Sequence, residues 1–379
     1  MYMSIVVNIG IFFLSIIYGL LKKLPIQKKI VYISRQMDKP SVDFLLIKND
    51  MEKRYPDYKS VILSKTLGNG IAKKIGYAMH MFRQMYHLAT SQAVVLDTYC
   101  ITASVLKHRK SLVIIQMWHA LGALKKFGYS ILDKPEGSTA KTAKILKMHN
   151  NYSYVFASSD YCRKFFAEAF NQPINAVKVF PLPRVDLLLN KEYKEKVSNR
   201  IYAVYPQLNE EKKKTIVYAP TFRKTTKSYV NEIQMLIDTV DYKKYNLVVK
   251  LHPIEQTNYS NSKAIFDNCF STFEMFYIAD AIISDYSAVI FEGMLLHKPI
   301  YLYAFDYNSY NKNRDFYTDY LNLFDGIIYK DRKDLLESIE NNNYKEDTTQ
   351  KVLQMMIQRK ESSYTEEIVD FIINLCKRK

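Results

Sequence analysis

The chain is poor in cysteine. Four cysteines, Cys100, Cys162, Cys269 and Cys376, are scattered over 379 residues and none forms a CxxC pair. That argues against a zinc site or a disulfide framework and suits a reducing, cytosolic setting. The GxxxxGK(S/T) and GxGxxG loops are both missing, which argues against a kinase-type NTPase and a standard dinucleotide dehydrogenase. There is no short-period repeat. His80 and His87 stand seven apart with no third ligand near them, so no metal site is expected. Acidic residues are also short, 38 Asp and Glu against 54 Lys and Arg, leaving a formal charge of +16. Such an excess implies an anionic partner: nucleic acid, a phosphorylated substrate or acidic lipid. No RNA-binding or helix-turn-helix signature is present and the aromatics are spread along the chain, so nucleic acid is not expected.

Apolar residues make up 48% of the chain, enough to build full cores and to exclude disorder. The length suits two domains. Residues 4–21 are almost wholly apolar, at the short end for a membrane span. Lys22, Lys23, Lys28 and Lys29 follow this run, whereas a secretory signal peptide carries its charges first. The basic flank places the body of the protein on the cytoplasmic face. Residues 1–22 are therefore expected to associate with the cell membrane, spanning it or lying in its interface. The alternative is a buried first helix.

Beyond that run, short apolar strands alternate with amphipathic helices, which means parallel α/β architecture. Strands are expected at 29–34, 61–63, 93–96, 112–117, 154–157 and 177–180. A second series follows at 215–218, 247–251, 281–283 and 300–303. Helices are expected near 41–55, 71–89, 158–170, 272–279, 287–296 and 361–376. The charged stretch 190–214 marks the division, giving domains at 23–195 and 196–360 and a C-terminal helix, 361–379, that packs back on the first domain.

In such sheets, ligands gather beyond the C-terminal ends of the strands. Trp118 and His119 follow the strongest strand of the first domain and lead into a basic loop with Gly122, Lys125, Lys126 and Gly128. Arg184 stands beside Asp186, either as a local ion pair or as a phosphate contact. In the second domain, Ala219-Pro220-Thr221-Phe222-Arg223-Lys224 reads as a phosphate loop, because arginine grips phosphate with two parallel hydrogen bonds. His252-Pro253 ends the next strand. Ser284-Asp285-Tyr286-Ser287 joins a strand to a helix, where hydroxyls cap the helix or, with the N–H groups and the helix dipole, hold a phosphate. Glu292 lies further along that helix, placed to meet a sugar hydroxyl. Residues 303–320, rich in Tyr, Asn and Asp and containing Arg314, read as a binding loop.

Seven of these pieces, in order, resemble the CDP-glycerol glycerophosphotransferase family of teichoic acid synthesis. They are Trp118-His119 with Leu124-Lys125-Lys126-Phe127-Gly128, then Pro183-Arg184-Val185-Asp186, then Tyr218-Ala219-Pro220-Thr221-Phe222-Arg223. Lys250-Leu251-His252-Pro253, Ile283-Ser284-Asp285-Tyr286-Ser287, Lys298-Pro299-Ile300 and Arg314-Asp315-Phe316-Tyr317-Thr318-Asp319-Tyr320 complete the set. The resemblance covers roughly residues 110–325. It implies a GT-B-like pair of α/β domains facing a cleft, and transfer of a polyol phosphate from CDP-glycerol or CDP-ribitol to a lipid-linked saccharide or polyol-phosphate acceptor, with release of CMP. It implies His119 as the base and His252 near the phosphates. Thr221, Arg223, Ser284 and Ser287 would hold the pyrophosphate and Glu292 would meet the ribose. Arg184, Asp285 and Arg314 are also expected on the donor side, and Trp118, Lys125 and Lys126 on the acceptor side. No cofactor is expected, and a divalent cation stays open. Three positions depart from the family pattern: Ala120-Leu121-Gly122 where Gly-Thr-Pro is frequent, Asp315 where a glycine is common, and Glu292 where Asp is common. The competing readings are a nucleotide-sugar glycosyltransferase on the same architecture and a basic, membrane-associated binding protein.

Overall fold

The computed structural model describes residues 2–68, 70–209, 212–223, 227–252, 255 and 257–378. Lys224 and Pro253, named above, lie outside these. The chain divides into two units. The first comprises residues 1–120, 126–184 and 358–379, and the second residues 121–125 and 185–357.

The first unit carries a parallel sheet of β1 (Lys29–Ser34), β2 (Lys59–Ser64), β3 (Ala93–Leu96), β4 (Val113–Gln116), β5 (Tyr154–Ala157) and β6 (Val177–Val179). Their order is β2-β1-β3-β4-β5-β6. A parallel sheet is covered on both faces, so its strands read as unbroken apolar runs. Ala-Val-Val-Leu in β3 does so, Val-Ile-Ile in β4 does so up to the final Gln116, and every residue of both strands is buried. The helices are α1 (Tyr2–Leu21), α2 (Val42–Arg54), α3 (Ile71–Thr90), α4 (Ile101–Val105), α5 (Ala140–Ile145) and α6 (Asp160–Phe170). Ser41 caps α2 by accepting the Phe44 N–H, and Ser159 caps α6 by accepting the Cys162 N–H. Such a cap is worth about 1 kcal/mol. Phe44, Ile47 and Met51 of α2 are wholly buried, each worth roughly 1.5–3 kcal/mol. Strand order reverses between β1 and β3, so the crevice of this sheet opens beyond Ser34 and Leu96.

The second unit repeats the scheme with β7 (Lys214–Tyr218), β8 (Tyr245–Val249), β9 (Ile265–Phe266), β10 (Ala281–Ser284), β11 (Ile300–Tyr303) and β12 (Ile328–Tyr329), in the order β12-β11-β10-β7-β8-β9. The division between units falls inside α7 (Arg184–Leu189). There follow α8 (Lys191–Val204), α9 (Lys227–Thr239), α10 (Thr272–Phe276), α11 (Ile290–Leu295), α12 (Tyr307–Asn313), α13 (Tyr320–Leu323), α14 (Arg332–Glu340) and α15 (Glu346–Met356). Ile233, Leu236 and Ile237 of α9 and Leu335 and Ile339 of α14 share one core with Ile216, Leu247 and Ile283 of the sheet. Here the reversal lies between β7 and β10, which run side by side with Tyr218 opposite Ile283. The loops 219–223 and 285–289 therefore leave the sheet next to each other. The last helix, α16 (Tyr364–Lys377), belongs to the first unit, where Asp370 meets Arg54 at 2.7 Å and Phe371 lies edge-on to Tyr154 at 5.2 Å.

Four local expectations change. The helix expected over 287–296 runs only Ile290–Leu295, because the Ser287 hydroxyl accepts the Val289 N–H in a turn ahead of it. The loop 303–320 contains the helix α12. Strands β9 and β12 went unseen, since two residues carry no periodicity. Finally, among the described residues no helix is long and apolar enough to cross a membrane. Helix α1 is not a buried helix either: Tyr18 is buried and bonded to His108 Nδ1 at 2.7 Å, while Phe12 and Phe13 are about 60% exposed.

Candidate active site

In the first unit, the chain leaves β4 through Met117 and enters Trp118 with φ at 64°. A left-handed backbone costs a bulky L-residue about 1–2 kcal/mol. The turn is held by the Trp118 N–H, which donates to Gln116 Oε1 at 2.9 Å, and by the indole, stacked on Phe127 at 4.7 Å and 12° and meeting Phe170 edge-on. Gly128, directly beyond Phe127, has φ at 58°, and a Cβ there would lie 2.2 Å from the Ala169 carbonyl oxygen, so the stack closes only around a glycine.

His119 comes next and is half-buried. Its Nδ1 lies 2.9 Å from the backbone carbonyl of Asp97, the residue after β3. A carbonyl oxygen only accepts, so Nδ1 carries the proton and the lone pair sits on Nε2. The Asp97 side chain is 2% exposed, and no hydrogen bond of standard geometry reaches either carboxyl oxygen. Burial pushes its pKa up from 3.8 to about 7, against the pull of the Ser34 and Thr98 hydroxyls. Arg184, expected either beside Asp186 or on a phosphate, grips the buried Asp43 of α2. Its backbone N–H and its Nε reach Oδ1 at 2.9 and 3.2 Å, Nε also reaches Oδ2 at 3.0 Å, and Nη2 bonds Oδ2 as well. From there Nη2 lies 3.5 Å from the His119 carbonyl. Lys126 is half-buried in this unit.

In the second unit, the β7–β10 reversal brings Thr221, Arg223, Ser284 and Asp285 together, and their bonds tie the loops to one another. Asp285 Oδ1 accepts the Thr221 N–H at 2.9 Å, the Thr221 hydroxyl at 2.6 Å and the Tyr286 N–H at 2.6 Å. The Arg223 guanidinium donates from Nε and Nη2 to Asp306 at 2.5 and 2.9 Å and from Nη1 to the Thr221 carbonyl at 2.7 Å, with Asp285 Oδ2 2.9 Å from Nη1. Rings of Tyr229, Tyr286, Tyr310 and Phe305 surround it at 4.7–5.8 Å. Burial works against its charge, and Asp285 and Asp306 more than offset that, so its pKa is raised. Ser284 is fully buried and donates to the Ala219 carbonyl at 2.7 Å. Arg223 and Ser284, expected to present themselves to a phosphate, tie the crevice loops together in this structure. Two unforeseen residues, Asp306 and Tyr286, complete the knot, with the Tyr286 hydroxyl 3.0 Å from Asp306.

Ser287 is half-buried at the head of its turn, and Glu292 is buried on α11. His252 is exposed and lies 5.8 Å from the Phe222 ring. Its pKa is lowered, first by the atoms crowding the ring and then by Lys125. Lys125 pairs by its backbone with Phe316, and the neighbouring Leu124 carbonyl accepts the Tyr317 N–H at 3.1 Å. Arg314 ends α12, and Asp315 after it has φ at 73°. Among the described residues, no group of three or more His, Cys, Asp or Glu side chains is placed to hold a metal ion.

The profile of the CDP-glycerol:poly(glycerophosphate) glycerophosphotransferases matches residues 16–374. The chain belongs to that family. It is 33% identical over 362 residues to the teichoic acid ribitol-phosphate primase of Bacillus spizizenii, covering 92% of both chains. It is 30% identical to the teichoic acid poly(ribitol-phosphate) polymerase of the same organism, of which it spans 58%. It is also 30% identical over 270 residues to the teichoic acid glycerol-phosphate primase of Bacillus subtilis, covering 69% of this chain and 68% of that protein. Among solved structures, the wall teichoic acid polymerase TagF has the same fold, with a TM-score of 0.75 at 19% identity over 100% of this chain and 98% of that one.

Proposed function

We propose that this protein transfers a polyol phosphate from a CDP-polyol to a hydroxyl of a lipid-linked acceptor in teichoic acid synthesis, releasing CMP, with His119 as the general base. The observation that carries the role of His119 is its Nδ1 bond to the Asp97 carbonyl, which leaves the basic lone pair on Nε2 beyond the end of a central strand. In the reaction, Nε2 takes the proton of the acceptor hydroxyl. The acceptor oxygen then bonds to the phosphorus that bears the polyol, and the bond from that phosphorus to the CMP oxygen breaks. His252, Ser287, Glu292 and Arg314 are the residues proposed to meet the donor. Thr221, Arg223, Ser284 and Asp285 are proposed to hold the loops after β7 and β10 in place for the donor, the second of which carries Ser287. Trp118, Lys125 and Lys126 are proposed on the acceptor side, and no cofactor is called for.

The acceptor's place in a membrane is supported by α1 and α3. Phe12, Ile16 and Leu20 on α1, and Ile71, Ile75 and Met79 on α3, repeat every fourth residue and are exposed. Lys73, Lys74 and Arg83 of α3 and Lys141 and Lys144 of α5 are exposed as well. Apolar residues edged by cations suit a helix lying in the cytoplasmic interface of an anionic membrane.

The test is incubation of the purified protein with CDP-glycerol or CDP-ribitol and a lipid-linked acceptor, with CMP and product mass measured. It also separates the glycerol expected from the sequence from the ribitol named in the relative at 33% identity. Release of UDP or GDP from a nucleotide sugar would favour the glycosyltransferase instead.

A further inference from the structure

Gln116 is the last residue of β4, flanked by Leu96 of β3 and Val155 of β5, and is fully buried. A glutamine at the end of an otherwise apolar strand needs partners for its amide, and each one it has is on a different segment. Its Nε2 donates to the Thr98 carbonyl and to the Tyr152 hydroxyl, both at 3.1 Å, and its Oε1 accepts the Trp118 N–H at 2.9 Å. The Thr98 carbonyl can only accept and the Trp118 N–H can only donate, so one orientation of the amide satisfies both. The Tyr152 hydroxyl, having accepted from Gln116, also lies 2.9 Å from His149 Nδ1. Burial lowers the His149 pKa to about 3, which keeps the ring neutral.

The adjacent carbonyls of Asp97 and Thr98 thus receive two side chains from one loop, His119 Nδ1 on the first and Gln116 Nε2 on the second. Between those two side chains lies Trp118 in its left-handed conformation, held by the other end of the same amide. We infer that Gln116 is the positioning residue of the proposed base: it locks the left-handed turn at Trp118 and so fixes the ring of His119 against the Asp97 carbonyl. The inference rests on the proposed role of His119 for its catalytic consequence, though not for its structural one. Gln116 touches no substrate and acts only through the turn.

Trp118 is the only tryptophan, so the emission of the intact protein reports this turn directly. Two variants test the inference. Gln116→Met keeps the length and apolar stem and removes all three hydrogen bonds. It is expected to shift the Trp118 emission, to let the His119 ring exchange tautomers in 15N–1H spectra, and to lower kcat about 10- to 100-fold while the KM for the CDP-polyol stays within about threefold. Gln116→Glu offers the same acceptor to Trp118 and, when protonated, the same donor to Thr98; ionised, it sets a charge against a carbonyl. Burial raises the pKa of such a carboxyl. Turnover and emission of Gln116→Glu should therefore approach wild type at acid pH and fall away as pH rises, a limb opposite in sign to the rise a histidine base gives. Unchanged emission and tautomer in Gln116→Met overturn the inference. So does a changed emission with wild-type kcat per folded molecule. If the wild-type protein releases no CMP, the proposed reaction fails, and the emission and tautomer still decide what Gln116 holds.

Discussion

Arg223 and Asp306 meet fork to carboxylate, Nε 2.5 Å from Oδ2 and Nη2 2.9 Å from Oδ1, with Arg223 only 9% exposed. The pair joins the loop after β7 to the loop after β11, and Asp285 adds the loop after β10. The crevice of the second sheet thus has a charged knot, in which Arg223 and Asp285 look like ligand contacts in the sequence and Asp306 does not.

Breaking a buried pair leaves a charge without its partner and costs about 3–5 kcal/mol. Arg223→Ala is expected to lower unfolding stability by that order, and Asp306→Ala by a similar amount. Urea denaturation of both variants checks it. Arg223→Ala with wild-type stability and a raised KM for the CDP-polyol would return Arg223 to the role of phosphate contact.

Asp97 gives a pH-dependent expectation. Its carboxyl is held near 7 in the fold against 3.8 ordinarily, so the folded state binds the proton more tightly. Its contribution to stability is complete below about pH 4 and is lost as pH rises through about 7. Asp97→Asn should remove that loss, its unfolding free energy exceeding wild type by about 2–4 kcal/mol at pH 8 and lying close to it at pH 4. Equal melting at both pH values would show that Asp97 is ionised without penalty.

Asp315 stands with φ at 73° and accepts the Phe316 N–H on Oδ1 at 2.8 Å, which is how an aspartate tolerates a turn that suits glycine. Asp315→Gly is expected within about 0.5 kcal/mol of wild type, whereas Asp315→Ala, losing the bond and keeping the strain, should cost about 1–2 kcal/mol. Thermal melts of the pair decide it.

The strand ladder was legible because Ala93–Leu96 and the first three residues of Val113–Gln116 are apolar runs, and His119 was legible because it follows the second of them. What the sequence hid was pairing at a distance. Arg184 stands two residues from Asp186 and bonds Asp43, 141 positions away. Arg223 lies in a motif that looks built for phosphate, and only the adjacency of β7 and β10 reveals its carboxylates. Local spacing also overran the helix at Ser287, since its hydroxyl serves a turn ahead of α11. Gln116 carried a signal that went unread, one polar residue at the end of a buried strand.

The proposed membrane face is open to a test that spares the site. Phe12→Glu with Ile75→Glu places charge among the exposed residues of α1 and α3. Co-flotation with vesicles of anionic phospholipid should fall about tenfold or more with melting unchanged. Undiminished flotation would assign attachment elsewhere.

The proposed transfer turns on His119. The decisive measurement is the rate of CMP release by the purified protein with CDP-glycerol and CDP-ribitol and a lipid-linked acceptor, wild type beside His119→Asn. Wild type is expected to release CMP in step with a product heavier by one polyol phosphate. The variant should fall about 10²–10⁴-fold at unchanged melting temperature. CMP release by His119→Asn at the wild-type rate would show that His119 is not the base of the transfer.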